Sequence, residues 1–365
     1  MKIVYVATSF NTTGKKIGGG EISNRDLLEN IAEKEDVYVI CMHGGSGWNV
    51  QFKNIKCYDI FSLFKKVFIF NKVSYLLSFI FFKFISRVLM KKINPDIVLG
   101  ATESVGIIQK FCKKNKIKCG VFIRAFENFN IEKKLKNSIK KFFYSDFSEK
   151  TINKMDFIIT NSLFMKEKCL SMTSVNDIYI VYPAINLKKT PINMNTSIQT
   201  IGMVSLRIDK GFNIFKAIRA HFPSIKFIVL GGTEDSLDTV NNIYIYKWMK
   251  NPENVLSKMD MVLVPSIIEE TFGRVSVEAL RLGKRVLVSN KGGLPETVSY
   301  NQNFIVKDNK LESWIEHIGK FVNNPNYKID ELKEISEDSL NYSIDIQSRN
   351  FLKILYEIKK LRYGS

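Results

Sequence analysis

Short apolar runs recur along this chain, and most are separated by stretches in which apolar positions return at the spacing of an amphipathic helix. That alternation predicts α/β units with largely parallel sheets. In the first half it predicts strands at residues 2–7, 37–42, 96–100, 119–123 and 156–160, with a helix Ser23–Ala32 after the first of them. Past Val181-Tyr182-Pro183 the periodicity breaks, and residues 186–198, rich in Lys, Asn and Thr, read as a linker. Strands are then predicted at 200–204, 226–230, 243–246, 261–264, 285–289 and 303–306. Ligands of open α/β sheets bind beyond the carboxyl ends of the strands, so chemistry is sought in the loops there.

Three of those loops stand out. The segment from Pro265 to Leu280 places Glu270 in a loop and Glu278 in the helix that Phe272-Gly273 opens, with Gly292-Gly293-Leu294-Pro295-Glu296 after the next strand. Backbone N–H groups at a helix start suit phosphates and hydroxyls, and a carboxylate on a rigid helix suits a vicinal diol. Glu269 offers a rival register, and two carboxylates near a helix start also complement its dipole. Ile201 to Gly211 reads as a strand, a basic loop and a helix opening, with Arg207 and Lys210 where a diphosphate would meet two cations. Gly18-Gly19-Gly20-Glu21 follows the first strand, where glycines allow close approach of a ligand or simply form a turn.

Together these segments resemble the family-4 retaining glycosyltransferases, through the Glu-x7-Glu spacing of Glu270 and Glu278. The resemblance implies the GT-B fold: an acceptor-side Rossmann-like domain over 1–185, a nucleotide-sugar-binding Rossmann-like domain over 199–342, and a C-terminal helix, 343–365, returning to the first domain. The two domains would face each other across a cleft. It further implies that Glu278 holds the donor ribose and that Glu270 lies beside the donor sugar, with the backbone of Phe272 and Gly273 nearby. Lys210 matches the Arg…Lys-Gly element of the family, whereas Arg207 lies closer to it than the family pattern has it. Gly19 and Gly20 resemble the family's Gly-Gly loop, and the N–H groups around Gly292-Gly293, in the Gly-Gly-x-Pro-Glu string, would help offset leaving-group charge. Trp248 falls where similar proteins pass into the base-binding loop, and it borders the nucleobase or fills the interior. Arg124 and Glu127 stand where many similar enzymes carry a His near the reacting sugar, and they contact donor or acceptor or form a structural pair. No Asp-x-Asp or metal-ligand spacing occurs, in line with the metal-free chemistry that the resemblance implies.

Composition narrows the partners. With 365 residues and 45% hydrophobic content, two ordinary cores are the expectation. The five cysteines are odd in number and unpaired in spacing, and the first residues enter a strand pattern directly, so a cytoplasmic enzyme without disulfides is predicted. Net charge is +18 and concentrates in the first half. Such a surface meets an anionic partner, either nucleic acid or an acidic membrane.

The stretch Phe61–Lys92 sharpens that choice, because it interleaves phenylalanines with Lys65, Lys66, Lys72, Lys83, Arg87, Lys91 and Lys92. Its longest charge-free run, Val73–Phe82, is too short to span a bilayer, but the mixture suits a segment lying among headgroups. A helix packed on the first sheet with its lysines wet is the other reading. Joined to this stretch, the resemblance implies a transferase, peripheral on the inner membrane face, moving a sugar from a nucleotide sugar to a lipid-linked glycan, as in lipopolysaccharide or other polysaccharide synthesis, with no cofactor, metal or nucleic acid. The rivals are another GT-B enzyme, such as a sugar epimerase or phosphorylase, and a basic nucleic-acid-binding protein. The latter leaves Glu270 and Glu278 unexplained.

Overall fold

The computed structural model describes residues 1–12, 18–44, 47–63, 72–101, 104–125, 149–186, 189–191, 197–249 and 251–363. The chain divides into two compact units, Met1–Ala184 with Ile344–Ser365 and Ile185–Ser343.

The first unit contains the strands β1 (Lys2–Ser9), β2 (Asp36–His43), β3 (Val50–Phe52), β4 (Ile55–Asp59), β5 (Ile97–Ala101), β6 (Lys118–Ile123), β7 (Phe157–Thr160) and β8 (Ile178–Ile180). They form one sheet in the order β3-β4-β2-β1-β5-β6-β7-β8, parallel throughout except for the β3–β4 pair at its edge. Residues 3–7 of β1 are all buried, as a central parallel strand with both faces covered requires. Ile3, Tyr5 and Ala7 face a core shared with Leu27, Leu28 and Ile31 of α1 (Gly19–Ile31) and with Phe351, Leu355 and Ile358 of the C-terminal helix, Ile344–Tyr363. Val4 and Val6 face the opposite core, with Phe79, Phe82 and Met90 of α2 (Lys72–Ile93) and Ile107 and Ile108 of α3 (Val105–Asn115). The strand period of two thus divides one apolar run between two helical layers.

The second unit contains β9 (Thr200–Val204), β10 (Lys226–Gly232), β11 (Ser236–Asp238), β12 (Ile243–Lys247), β13 (Met261–Val264), β14 (Arg285–Ser289) and β15 (Ile305–Val306), in the order β11-β12-β10-β9-β13-β14-β15. Its helices include α4 (Phe212–His221), α5 (Arg274–Arg281) and α6 (Leu311–Asn323), whose Phe215, Ala279, Trp314 and Phe321 enter one core with Ile201, Phe227 and Val286. The chain winds from β9 outward through β10 to β12, then returns to place β13 against β9 and winds the other way. The loops after β9 and β13 therefore leave the sheet side by side, at the switch point where doubly wound sheets hold their ligands.

Several expectations change. Helix α1 begins at Gly19, with Gly18 as its N-cap, so the glycine loop is in part the first helical turn and the helix does not wait for Ser23. Strands β3, β4, β8 and β11 went unpredicted, and β15 is two residues long because 302–304 form a 3-10 turn capped by the Asn301 side chain. The supposed linker is tied down in part, since Thr190 N–H donates to the Arg281 carbonyl at 2.7 Å and Lys189 pairs with Glu337. Helix α2 packs on the sheet through Phe79, Phe82 and Met90, yet leaves Ile80, Phe81, Phe84 and Val88 exposed. Lys65 and Lys66 lie outside the described residues. Among the described residues, no helix is long and apolar enough to cross a membrane, and all five cysteines are free and buried.

Candidate active site

Three loops of the second unit converge at the carboxyl ends of β9, β13 and β14. After β9 the chain makes a 3-10 turn, Ile208–Lys210, and reverses at Gly211, whose φ of +88° lies in the left-handed region. A Cβ there would stand 1.9 Å from the Pro265 carbonyl oxygen, so the first and second loops touch backbone to backbone. Ile267 N–H donates to the Asp209 carbonyl at 3.0 Å, which fixes the same contact one strand-end further out.

Across that junction Lys210 Nζ lies 2.6 Å from Glu270 Oε1, both side chains being largely buried. The same oxygen accepts from Ser266 Oγ at 2.5 Å. Ser266 is itself 1% exposed, and its carbonyl accepts from Ser289 Oγ at 2.8 Å and from Asn309 Nδ2 at 3.2 Å. Asn309 Oδ1 in turn accepts from the buried Trp314 indole at 2.7 Å. With one oxygen held by both a hydroxyl and an ammonium, the carboxylate is fixed and the Lys210 charge is delivered at a defined point.

The third loop closes on the second. Glu270 and Gly292 form an isolated parallel bridge, and Gly293 N–H donates to the Glu270 carbonyl at 2.7 Å. A side chain at Gly293 would meet the Thr271 carbonyl oxygen at 2.9 Å and Phe272 Cα at 3.0 Å, so only glycine allows this approach. Phe272 is 2% exposed, and its ring packs edge-on against Tyr342 at 5.1 Å. Burial pushes the Tyr342 hydroxyl above its ordinary range, and it donates to the Glu296 carbonyl at 3.1 Å. Gly273, with φ of +125°, caps α5, whose start has no side-chain cap. Its dipole is open to an anion there. Glu278 sits one turn on, nearly buried, with the Arg274 guanidinium 3.2 Å from its Oε1. Glu269 is exposed, and Glu270 is the carboxylate inside the cluster.

Other predicted residues fall elsewhere. Arg207 makes a bidentate pair with Asp209, with Nε 2.9 Å from Oδ1, and is largely exposed rather than aimed at Lys210. That guanidinium holds the Asp209 carboxyl below its usual range. Trp248 is half-buried beyond β12, its N–H bonded to the Gly232 carbonyl at 2.8 Å. In the first unit, Arg124 leaves β6 directly beneath the first turn of α1. Its Cβ lies 3.4 Å from the position a Cβ on Gly20 would take, its Nε donates to Asn24 Oδ1 at 2.5 Å, and its Nη1 to the Val181 carbonyl at 3.3 Å. Gly19 is in that same turn, and its carbonyl accepts from Ser23 Oγ at 2.8 Å. Glu127 lies outside the described residues. Sequence reasoning missed Ser266, Asn309 and Asn24. Only Asn24 carried a signal, as a polar residue on the apolar face of α1. Among the described residues no group of three or more His, Cys, Asp or Glu is placed to hold a metal ion.

Residues 206–339, the segment that contains all three loops, match the family described as glycosyl transferases group 1. The chain is 25% identical over 328 residues to an uncharacterized 42.6 kDa protein in the cps region of Klebsiella pneumoniae, covering 81% of this chain and 87% of that protein. It is 35% identical over 112 residues to the lipopolysaccharide 1,2-N-acetylglucosaminetransferase of Salmonella typhimurium, covering 25% of this chain and 29% of that protein. Among solved structures, sucrose-phosphate synthase from Thermosynechococcus elongatus overlays with a TM-score of 0.73 at 12% identity, covering 98% of this chain and 99% of the other. Anabaena Alr3699/HepE in complex with UDP-glucose overlays at 0.71 and 14% identity, covering 98% and 100%. The fold is thus GT-B, with two Rossmann-like sheets and a C-terminal helix packed in the first unit. The family match over the site-bearing segment supports a glycosyltransferase.

Proposed function

We propose that the protein is a retaining, metal-independent glycosyltransferase that moves a sugar from a nucleoside diphosphate sugar to a lipid-linked glycan at a membrane surface, without a bound cofactor. The observation that carries this reading is the 2.6 Å contact of Lys210 with Glu270 at the switch point, beside the uncapped start of α5. A diphosphate entering there meets an ammonium that is already positioned and a row of helix N–H groups, so the charge of the leaving group is offset as it develops. Glu278 is suited to the ribose, because an ionised carboxylate accepts two hydrogen bonds from a diol more strongly than a neutral group does.

In the proposed step the bond from the sugar's anomeric carbon to the β-phosphate oxygen breaks, and its electron pair stays on the diphosphate. The acceptor hydroxyl attacks from the same face, and its proton passes to the departing phosphate oxygen. In this reading the two carboxylates of the cluster orient other groups, Glu270 being held by Ser266 and Lys210 and Glu278 by Arg274. Front-face attack therefore fits better than a covalent intermediate. The similarity to proteins named for lipopolysaccharide synthesis, a cps region and UDP-glucose supports a surface-glycan acceptor and makes UDP-sugars the first donors to try.

The test is release of free nucleotide from a panel of UDP-, GDP-, ADP- and dTDP-sugars with a glycan acceptor, in buffer and in EDTA, with the anomeric configuration of the product read by proton NMR. Turnover in EDTA with retained configuration is the expected result. An inverted product would remove the front-face step, and activity abolished by EDTA and restored by Mg2+ would remove the metal-free one.

A further inference from the structure

Helices α2 and α3 pack side by side in the first unit and leave a groove of about 450 Å³ at their carboxyl ends. Arg87 and Lys91 of α2 and Lys110 and Lys114 of α3 line it, with Val88 and Phe111 among its apolar walls. None of these four cations has an acidic partner among the described residues, and neither helix contains a carboxylate anywhere along its length. Asp96, the first acidic residue after α2, is committed elsewhere, to Lys359 at 3.0 Å and to the Lys2 backbone N–H at 2.7 Å.

Helix dipoles do not account for this arrangement. Cations in a last turn complement the carbonyl end, but Arg87 and Lys110 lie a turn earlier. Each helix end supplies roughly half a negative charge, so four cations leave an excess of about three. That excess repels itself unless an anion answers it.

The same face of α2 continues away from the groove as Val88, Phe84, Ile80 and Phe81, which are 50%, 65%, 50% and 38% exposed. Residues 80, 84, 88 and 91 follow one stripe at helical spacing, apolar first and then basic. Lys83 flanks it, with its ammonium 4.9 Å from the centre of the Phe79 ring. A soluble phosphate would use the cations and have no need of this apolar extension. Nucleic acid would use the cations and could stack bases on Phe81 and Phe84, but it would leave the half-exposed aliphatic Ile80 and Val88 of the same stripe in water. A phospholipid uses both, headgroup against the basic end and acyl chains along the apolar one.

We propose that the α2–α3 groove binds the phosphate headgroups of an anionic membrane while Phe84, Ile80 and Phe81 enter the acyl boundary. This gives the membrane-peripheral reading above its contact surface and rests on that reading alone, not on the transfer chemistry. Each cation at an anionic leaflet multiplies partitioning about five-fold, so removing three lowers it on the order of 100-fold.

The experiment is flotation of the full chain with phosphatidylglycerol or phosphatidylcholine vesicles in about 0.1 M salt, for wild type, the triple variant Lys91→Gln, Lys110→Gln, Lys114→Gln, and Phe84→Ser. All four positions are exposed, so melting temperatures should stay at the wild-type value. Wild type should float with phosphatidylglycerol and not with phosphatidylcholine, and both variants should stay at the bottom. Turnover of a soluble acceptor analogue should be equal in all three, which separates this proposal from the proposed activity. Equal flotation of wild type with the two lipids, or of the triple variant and wild type, would overturn it. So would displacement by glycerol phosphate beyond that caused by chloride at equal ionic strength, or loss of polyribonucleotide binding in the triple variant with unchanged flotation.

Discussion

Ser266 is the residue through which the candidate site connects to the core. Its hydroxyl holds Glu270, while its carbonyl is held by Ser289 and Asn309. Replacing it with Ala removes one charge-assisted hydrogen bond, about 1.5–3 kcal/mol, from the carboxylate that orients Lys210. Turnover of Ser266→Ala should fall at least ten-fold with a melting temperature lowered by no more than about 4 °C, as steady-state kinetics and a thermal scan would show. A drop in melting temperature with unchanged kcat would make Ser266 a purely structural residue. Arg207 gives a second prediction at this scale. Its guanidinium holds the Asp209 carboxyl low in the folded protein, so the pair stabilises above the ordinary Asp range and loses that contribution as pH falls through the depressed value. In Arg207→Ala the Asp209 titration, followed by NMR, should move upward toward 3.8. If a nucleoside diphosphate draws Arg207 away, saturating wild type with it should move Asp209 the same way. Glu270 could be picked out in the sequence by its eight-residue spacing from Glu278, and Lys210 by standing before the glycine where a strand-end loop opens a helix. The Arg207–Asp209 pair could not, because residues two apart in a loop meet only when the local turn brings them round.

At the scale of elements, the reversal at Gly211 positions Lys210. With φ at +88° and the Pro265 carbonyl in the place of a Cβ, Gly211→Ala has both a backbone and a steric reason to fail. A stability loss of at least about 2 kcal/mol in urea unfolding is expected, since strain of this kind alone costs on the order of 1–3 kcal/mol. Wild-type stability in that variant would mean that the two loops can separate freely. The central strands were legible because they are buried on both faces and so read as continuous apolar runs, as β1 and β14 do. Of the strands that were missed, β3, β8 and β11 are at edges, and β4, one place in from the edge, alternates buried Ile55, Cys57 and Asp59 with exposed or half-exposed residues rather than forming an apolar run. The sequence Ser236-Leu237-Asp238 of β11 is exposed or half-exposed and pairs by backbone alone, so it carries no apolar pattern to read. The start of α1 was missed because its first turn is glycine, a residue that argues against helix unless its surroundings decide otherwise.

At the scale of the molecule, the C-terminal helix belongs to the first unit although the second unit precedes it in the chain. Phe351 is wholly buried, with its ring 5.7 Å from that of Phe122 on β6. Phe351→Ala should destabilise the first unit by about 3–5 kcal/mol, with a melting transition that falls well below wild type in calorimetry. The resemblance in sequence foretold this return, whereas the amphipathic pattern alone marked only a helix. The excess of positive charge was legible from composition, but its partner was not, because which lysines share a face with exposed Phe84 is decided by how α2 rolls against the sheet.

The central claim is that the second unit holds a nucleoside diphosphate sugar, with Glu278 on its ribose. Isothermal titration of the full chain with the donor that gives turnover, for wild type and Glu278→Gln, addresses it most directly. Exchanging a carboxylate for an amide at a diol should weaken the Kd about ten-fold in a protein that a thermal scan shows still folded at the titration temperature, though melting lower because Arg274 loses its ion pair. An equal Kd in the two proteins, or no binding of any nucleoside diphosphate sugar by wild type, would contradict the account.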